Sequence, residues 1–225
     1  MEAIGIIVAM DKELNLLLPL LENNSSVTIN GVEFHRGNIG KNEVVVLKCG
    51  IGKVNAAIST LTLIENFHVR LVINTGVAGG TGNNADILDV VIADRIAYHD
   101  VWCGPGTIPG QAADCPLYFE CPMDFENAKF GHEVKFGLIA SGDIFVSHPD
   151  DLDKIKRLYP DVMAVDMESA AIAQVCFLKN VPFVAIRVIS DTPGKKADNM
   201  SQYNDFWTLA PKKNFELLKA LLSKL

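Results

Sequence analysis

A chain of 225 residues with 49% hydrophobic side chains can bury a substantial core, and its length suits one α/β domain spanning residues 1–225. A net charge of −7, with no run of five or more Lys and Arg, argues against a nucleic-acid or anionic-membrane surface and leaves small molecules or protein partners. The cysteines Cys49, Cys103, Cys115, Cys121 and Cys176 are odd in number and lack a CxxC spacing, which fits reduced thiols better than a disulfide framework or a zinc site.

The opening run MEAIGIIVAM is too short for a membrane span, lacks a basic leader, and meets Asp11 and Lys12. It reads as a first strand over 3–9, and the chain is expected to be cytoplasmic. A helix follows over 11–18, stopped by Pro19, and a strand over 43–49 leads into a helix over 53–66. Strands come next at 70–76 and 88–94, and then an irregular stretch over 98–133 dense in Gly, Pro, Cys and aromatics. A long loop of that kind inside a compact domain points to a cover over a site or to a subunit contact. Beyond it come a strand at 135–141, a helix at 150–158, a strand at 162–166, a helix at 168–180, a strand at 182–190 and an amphipathic helix over 205–224. The Ile- and Val-rich runs are mostly continuous rather than alternating, as in strands buried on both faces, and their alternation with helices implies βαβ crossovers. The expected fold is a single three-layer α/β/α domain around a mixed, largely parallel sheet.

In such sheets ligands bind beyond the carboxyl ends of the strands. That rule selects MDKE after the first strand, TGVAGG after the third, DMES after the strand at 162–166, and SDTPG after the last. Glu13, Asp166, Glu168 and Asp191 are thereby brought toward one edge. A single acid in a first helical turn is adequately explained by capping and the helix dipole. Four at one edge suggest acid and base partners whose environments separate their protonation states. INTGVAGG fits neither the Walker nor the dinucleotide-binding fingerprint, and its glycines suggest close backbone approach to a ligand such as a sugar. The small residues Ala170, Ala171 and Ala173 read as tight helix-on-sheet packing. His35, His68, His132 and His148 read as surface or turn residues without metal-ligand spacing, and Trp102 and Trp207 as packing or interface residues.

Seven motifs, GIIVAMDKEL (5–14), CGIGKVNAA (49–57), INTGVAGG (73–80), YHD (98–100), SGDIF (141–145), AVDMESAAIAQVC (164–176) and VPFVAIRVISD (181–191), resemble in order and spacing the 5′-methylthioadenosine/S-adenosylhomocysteine nucleosidases of the nucleoside phosphorylase superfamily. The resemblance covers nearly the whole chain and implies a nucleoside phosphorylase-like fold. It assigns Asp191 as the acid that protonates purine N7 while accepting from the 6-amino group, Glu13 as the base that activates water, and Glu168 as the acceptor for ribose hydroxyls, with Met167 beside it. Phe145 would stack on the base and the backbone of Val146 would read its edge. Ala9, Met10 and Ile51 match pocket-lining positions, as do Val77, Ala78 and Gly79 of the glycine-rich turn. Arg187 and Ser190 match positions near the water and Asp191, Asp166 a further substrate-binding position, and Tyr203 a position by the 5′-substituent. The resemblance further implies a homodimer in which loop 101–115 reaches the neighbouring 5′ pocket, and no cofactor or metal.

The departures concern the water and the 5′ group. Val77 stands where the family usually has Ser, Asp166 where bacterial members often have Glu, and Tyr203 where Phe is frequent, after a two-residue insertion. The segment 118–134 is shorter than usual. A phosphate nucleophile needs cationic donors, and AMDKE and Asn74 occupy the places where related phosphorylases carry Arg, so hydrolysis is expected. The alternatives are a purine nucleoside phosphorylase, a futalosine-type hydrolase, and a nucleoside-binding sensor without turnover.

Overall fold

The computed structural model describes residues 2–121, 134–193, 206 and 218–223. Its first strand β1 (Ile4–Val8) is buried at every position. Ile4, Ile6 and Val8 pack with Leu17, Leu218, Leu221 and Leu222 on one side of the sheet, while Ile7 packs with Leu63 and Ala170 on the other. Side chains alternate faces along a strand, so burial on both sides requires the continuous apolar run seen in the sequence. Helices therefore cover both faces, which gives the three layers.

The helix α1 (Asp11–Leu17) follows directly, and Leu18–Leu20 form a 3-10 turn that holds Pro19. Two strands absent from the sequence reading come next, β2 (Glu22–Ile29) and β3 (Val32–Ile39), joined by Asn30 and Gly31, both at positive φ. An Asn-Gly pair with that geometry is the usual two-residue hairpin turn. The remaining strands are β4 (Asn42–Lys48), β5 (Leu71–Gly80), β6 (Val90–Tyr98), the short β7 (Phe119–Glu120), β8 (Val134–Ser141), β9 (Ala164–Asp166) and β10 (Phe183–Asp191). Between them lie α2 (Lys53–Phe67), α3 (Pro149–Leu158) and α4 (Ser169–Lys179). The helix α3 is capped by His148 Nδ1, which accepts from Asp150 N at 3.3 Å, and carries acids in its first turn and Lys156 and Arg157 in its last. Both arrangements favour the helix dipole.

The sheet is mixed, and its order is β2–β3–β4–β1–β5 followed by a closed circuit. The strand β5 pairs antiparallel with β9, which pairs parallel with β8, which pairs parallel with β6. The strand β10 then lies antiparallel to β6 and parallel to β5, closing the ring. The ring brings together the carboxyl ends of β5, β9 and β10, each of which carries part of the site. The alanines Ala170, Ala171 and Ala173 of α4 are buried in the sheet-facing core with Cys176, in keeping with tight helix packing. His35 departs from the sequence reading: on β3 it is buried rather than at the surface, because its strand lies between β2 and β4. His132, Trp207, Tyr203 and most of the helix expected over 205–224 lie outside the described residues, as do residues 122–133 of the segment expected to be short.

Candidate active site

One cleft, enclosing about 700 Å³ of empty space with its open mouth included, lies at the carboxyl edge of β1, β5, β9 and β10. That is within the range of roughly 300–1,000 Å³ typical of small-molecule clefts. Its walls contain Glu13, Glu168 and Asp191, together with Ala9, Met10, Ile51, Val77, Ala78 and Gly79. Phe145, Val146, Asp166, Met167, Arg187 and Ser190 complete the residues that the sequence had selected, apart from Tyr203, which is not described. Asn74, Thr75, Gly76, Ile144 and Val165 also line it and were not selected.

Glu13 sits at the third position of α1, where its carboxylate turns back onto the chain entering the helix. Oε2 accepts from Ala9 N and Met10 N, both at 2.9 Å, and Oε1 accepts from Val77 N at 3.2 Å. One carboxylate thus fastens the helix start and leans on β5. This contact explains Gly76, because a Cβ there would fall 2.5 Å from Glu13 Oε1. At Gly76, which also lines the cleft, the close approach is of backbone to Glu13. Burial raises the Glu13 carboxyl above its ordinary range, while the Arg187 charge and the backbone donors pull the other way.

Glu168 is the N-cap residue of α4, but its side chain makes no cap bond. Its Oε1 reaches across the cleft to accept from Gly52 N at 2.9 Å, and Gly52 sits at φ +95°, a left-handed geometry that favours glycine. Burial first, and then the charge of Asp166, pushes the Glu168 carboxyl up to about 7. Asp191, at the end of β10 just past a register shift, accepts from Ser190 Oγ at 2.6 Å, and burial raises its carboxyl against that hydrogen bond. Cys49 lies near Glu168 and Glu13, and burial together with their charges pushes its thiol up, which makes it a poor thiolate nucleophile.

Asp166 and Arg187 behave differently from these acids. Arg187 Nε and Nη2 donate to Asp166 Oδ2 at 2.9 and 2.6 Å, with both side chains 2% exposed. Arg187 Nη1 donates to the carbonyls of Asn74 and Ile186, and Nη2 also meets Asn74 Oδ1 and Ser169 Oγ. Ser169 Oγ bonds Asp166 Oδ2, and Asn74 Nδ2 donates to Ile7 O at 3.1 Å. The four side chains form a sealed network that fastens β1, β5, β9, β10 and the start of α4 to one another. The sequence reading grouped Asp166 with Glu13, Glu168 and Asp191 as acid and base partners and put Arg187 near the water; instead the two pair with each other, and nothing in the sequence signalled Ser169 or Asn74 as their partners.

The chain matches the phosphorylase superfamily over residues 3–223. It is 38% identical over 229 residues to the 5′-methylthioadenosine/S-adenosylhomocysteine nucleosidase of Staphylococcus haemolyticus, covering 99% of this chain and 100% of that one. The chain belongs to the 5′-methylthioadenosine/S-adenosylhomocysteine nucleosidase family. Solved structures of that family agree with the fold. The S-adenosylhomocysteine nucleosidase of Streptococcus pyogenes, in complex with 5-methylthiotubericidin, superposes with a TM-score of 0.92 at 37% identity, covering 100% of this chain and 98% of its own. The methylthioadenosine/S-adenosylhomocysteine nucleosidase of Neisseria meningitidis, in complex with methylthio-immucillin-A, also gives 0.92, at 34% identity and with both chains covered in full. For a member of this nucleosidase family, the departure at Val77 leaves the contact to Glu13 intact, because the contact is made by the backbone N–H and not by the side chain.

Proposed function

We propose that this cleft hydrolyses the N-glycosidic bond of 5′-methylthioadenosine and S-adenosylhomocysteine, releasing adenine and the 5-thioribose. The observation that carries this reading over phosphorolysis concerns the one cation lining the cleft among the described residues, Arg187. Its donors are already engaged with Asp166, Asn74, Ile186 and Ser169, so no guanidinium fork remains to hold a phosphate. The other charged groups of the lining are acids, which repel phosphate.

In the proposed reaction Asp191 enters protonated, as its burial favours, and gives its proton to purine N7 while its other oxygen accepts from the 6-amino group. The bond between C1′ and N9 breaks, and its electron pair leaves with the purine. Glu13 takes a proton from a water whose oxygen bonds to C1′, and Arg187 supports the ionised form of Glu13 that this needs. Glu168 accepts from the ribose hydroxyls and holds the sugar as positive charge develops on it. Phe145, 45% exposed at the mouth, stacks on the base, and Val146 presents backbone to its edge.

We also propose a cytoplasmic homodimer. Val54 and Ile58 on α2, Trp102 and Ile108 in the loop after β6, and Phe177 and Leu178 on α4 are large apolar side chains left exposed, and α2 packs beside α4. No described helix is long and apolar enough to cross a membrane. The test is adenine release from 5′-methylthioadenosine by purified protein in phosphate-free buffer, repeated with phosphate, with light scattering on the same preparation. Adenine and free methylthioribose in both buffers, from a particle of twice 24.5 kDa, is the expected result. Release that requires phosphate would sink hydrolysis, and a monomer would sink the dimer.

A further inference from the structure

Three motifs of the sequence, the Lys53 of CGIGK, the Asp100 of YHD and the Asp143 of SGDIF, have no part in the reaction above, yet they meet at the mouth of the cleft. The helix α2 begins without a cap of its own. Gly52 is its N-cap, no acid stands in its first turn, and its first residue is a lysine, a charge the helix dipole disfavours at that end. The missing acceptor comes from a distant loop, since Asp143 Oδ1 accepts from Lys53 N at 2.8 Å. Lys53 Nζ turns back to Asp100 Oδ2 at 2.7 Å and lies 4.0 Å from Asp143 Oδ2. Asp100 Oδ2 also accepts from Asp143 N at 2.8 Å, so the aspartates hold each other's segments through one lysine.

This junction touches both working walls of the cleft. Asp143 stands two residues before Phe145, and Lys53 follows Gly52, whose N–H is the one given to Glu168. We infer that Asp143 is a positioning residue that, with Lys53 and Asp100, locks the segment bearing Phe145 to the start of α2 and so fixes the spacing between the base-stacking wall and the ribose-holding Glu168. The backbone cap is the stronger part of the lock, because partly exposed ion pairs contribute little on their own. Gly52 fits the same account: it needs φ +95°, and a Cβ there would come 3.0 Å from Asp143 Oδ1. Asp143 does not line the cleft, so its loss is felt in binding before chemistry.

The inference rests on the nucleosidase reading, and the experiment separates the two. Steady-state kinetics with 5′-methylthioadenosine are compared for the wild type, Asp143→Ala, Asp143→Asn, Gly52→Ala and the double variant Asp143→Ala/Gly52→Ala, each checked for folding by circular dichroism at the assay temperature. Asp143→Ala is expected to raise KM about tenfold with kcat within about threefold, the scale of losing one helix cap. Asp143→Asn keeps an oxygen for Lys53 N and is expected within about threefold of wild-type KM. Gly52→Ala is expected to raise KM as well, and the double variant to fall short of the product of the single effects, because both break one junction. An unchanged KM in Asp143→Ala, an Asn variant as impaired as the Ala variant, or independent effects in the double variant would overturn the lock while leaving the nucleosidase reading intact. A wild type that neither binds nor hydrolyses 5′-methylthioadenosine would overturn that reading and the role of Asp143 with it.

Discussion

Asp166 and Glu168 are two residues apart, both buried and both at the wall of one cleft, yet they live in different chemical settings. Asp166 is closed in by Arg187 and Ser169, so its charge is paired and Oδ2 is occupied by protein donors. Glu168 accepts from the Gly52 N–H, and its carboxyl is pushed up to about 7 by burial and by Asp166. Whether a buried acid holds the fold together or stays available to a ligand is decided by which donors surround it, not by its depth. Burial also raises the Glu13 carboxyl, against three backbone N–H donors, and the Asp191 carboxyl, against the Ser190 hydroxyl.

Breaking the sealed side is expected to have the largest effect. Arg187→Met leaves Asp166 a buried charge without its cation, which costs about 3–5 kcal/mol of folding stability; urea unfolding of the variant measures it, and a loss below about 1 kcal/mol would show that the pair is not what fastens the strands. On the open side, Asp191→Asn keeps the shape but cannot supply the same proton, so kcat for adenine release should fall by about 10²-fold or more. Wild-type turnover of that variant would remove Asp191 from its role as acid. The smallest effect sharpens the contrast through pH. The folded state holds a proton on Glu168 more tightly than the unfolded chain, so the protein binds more protons when folded, and stability declines as pH rises from 4.5 to about 7. Glu168→Gln removes this titration and should flatten the decline by about 2–3 kcal/mol, read as thermal midpoints across that window. An equally steep decline in the variant would mean that Glu168 is not the group responsible.

Much of the site was legible because strand ends in a sheet of this kind converge, and polar or glycine-rich residues after apolar runs mark them. MDKE, TGVAGG and DMES were found that way, and the resemblance then supplied roles. What stayed hidden depends on contacts across elements. Nothing local to Asn74 or Ser169 announces that they bind the same guanidinium from β5 and α4, nor does INTGVAGG announce that Gly76 makes room for Glu13. In the fold, β2 was missed because it is exposed at seven of its eight positions and carries no apolar pattern. The Asn30–Gly31 turn was the available signal, since that pair favours the positive φ that a two-residue hairpin needs.

The closed circuit of strands also bears on how the chain is made. The strand β10 fills the gap between β5 and β6, with Phe183 beside Val72 and Ile186 beside Ile92, so partners meet that are about a hundred residues apart in the order of synthesis. Until β10 has left the ribosome, β5 and β6 each present an unpaired edge, the kind of surface that recruits other chains. The same strand delivers Arg187 and Asp191, so the last gap in the ring and two pieces of the cleft are filled in one event. A nascent chain is therefore most prone to aggregate during the interval in which it also lacks Arg187 and Asp191.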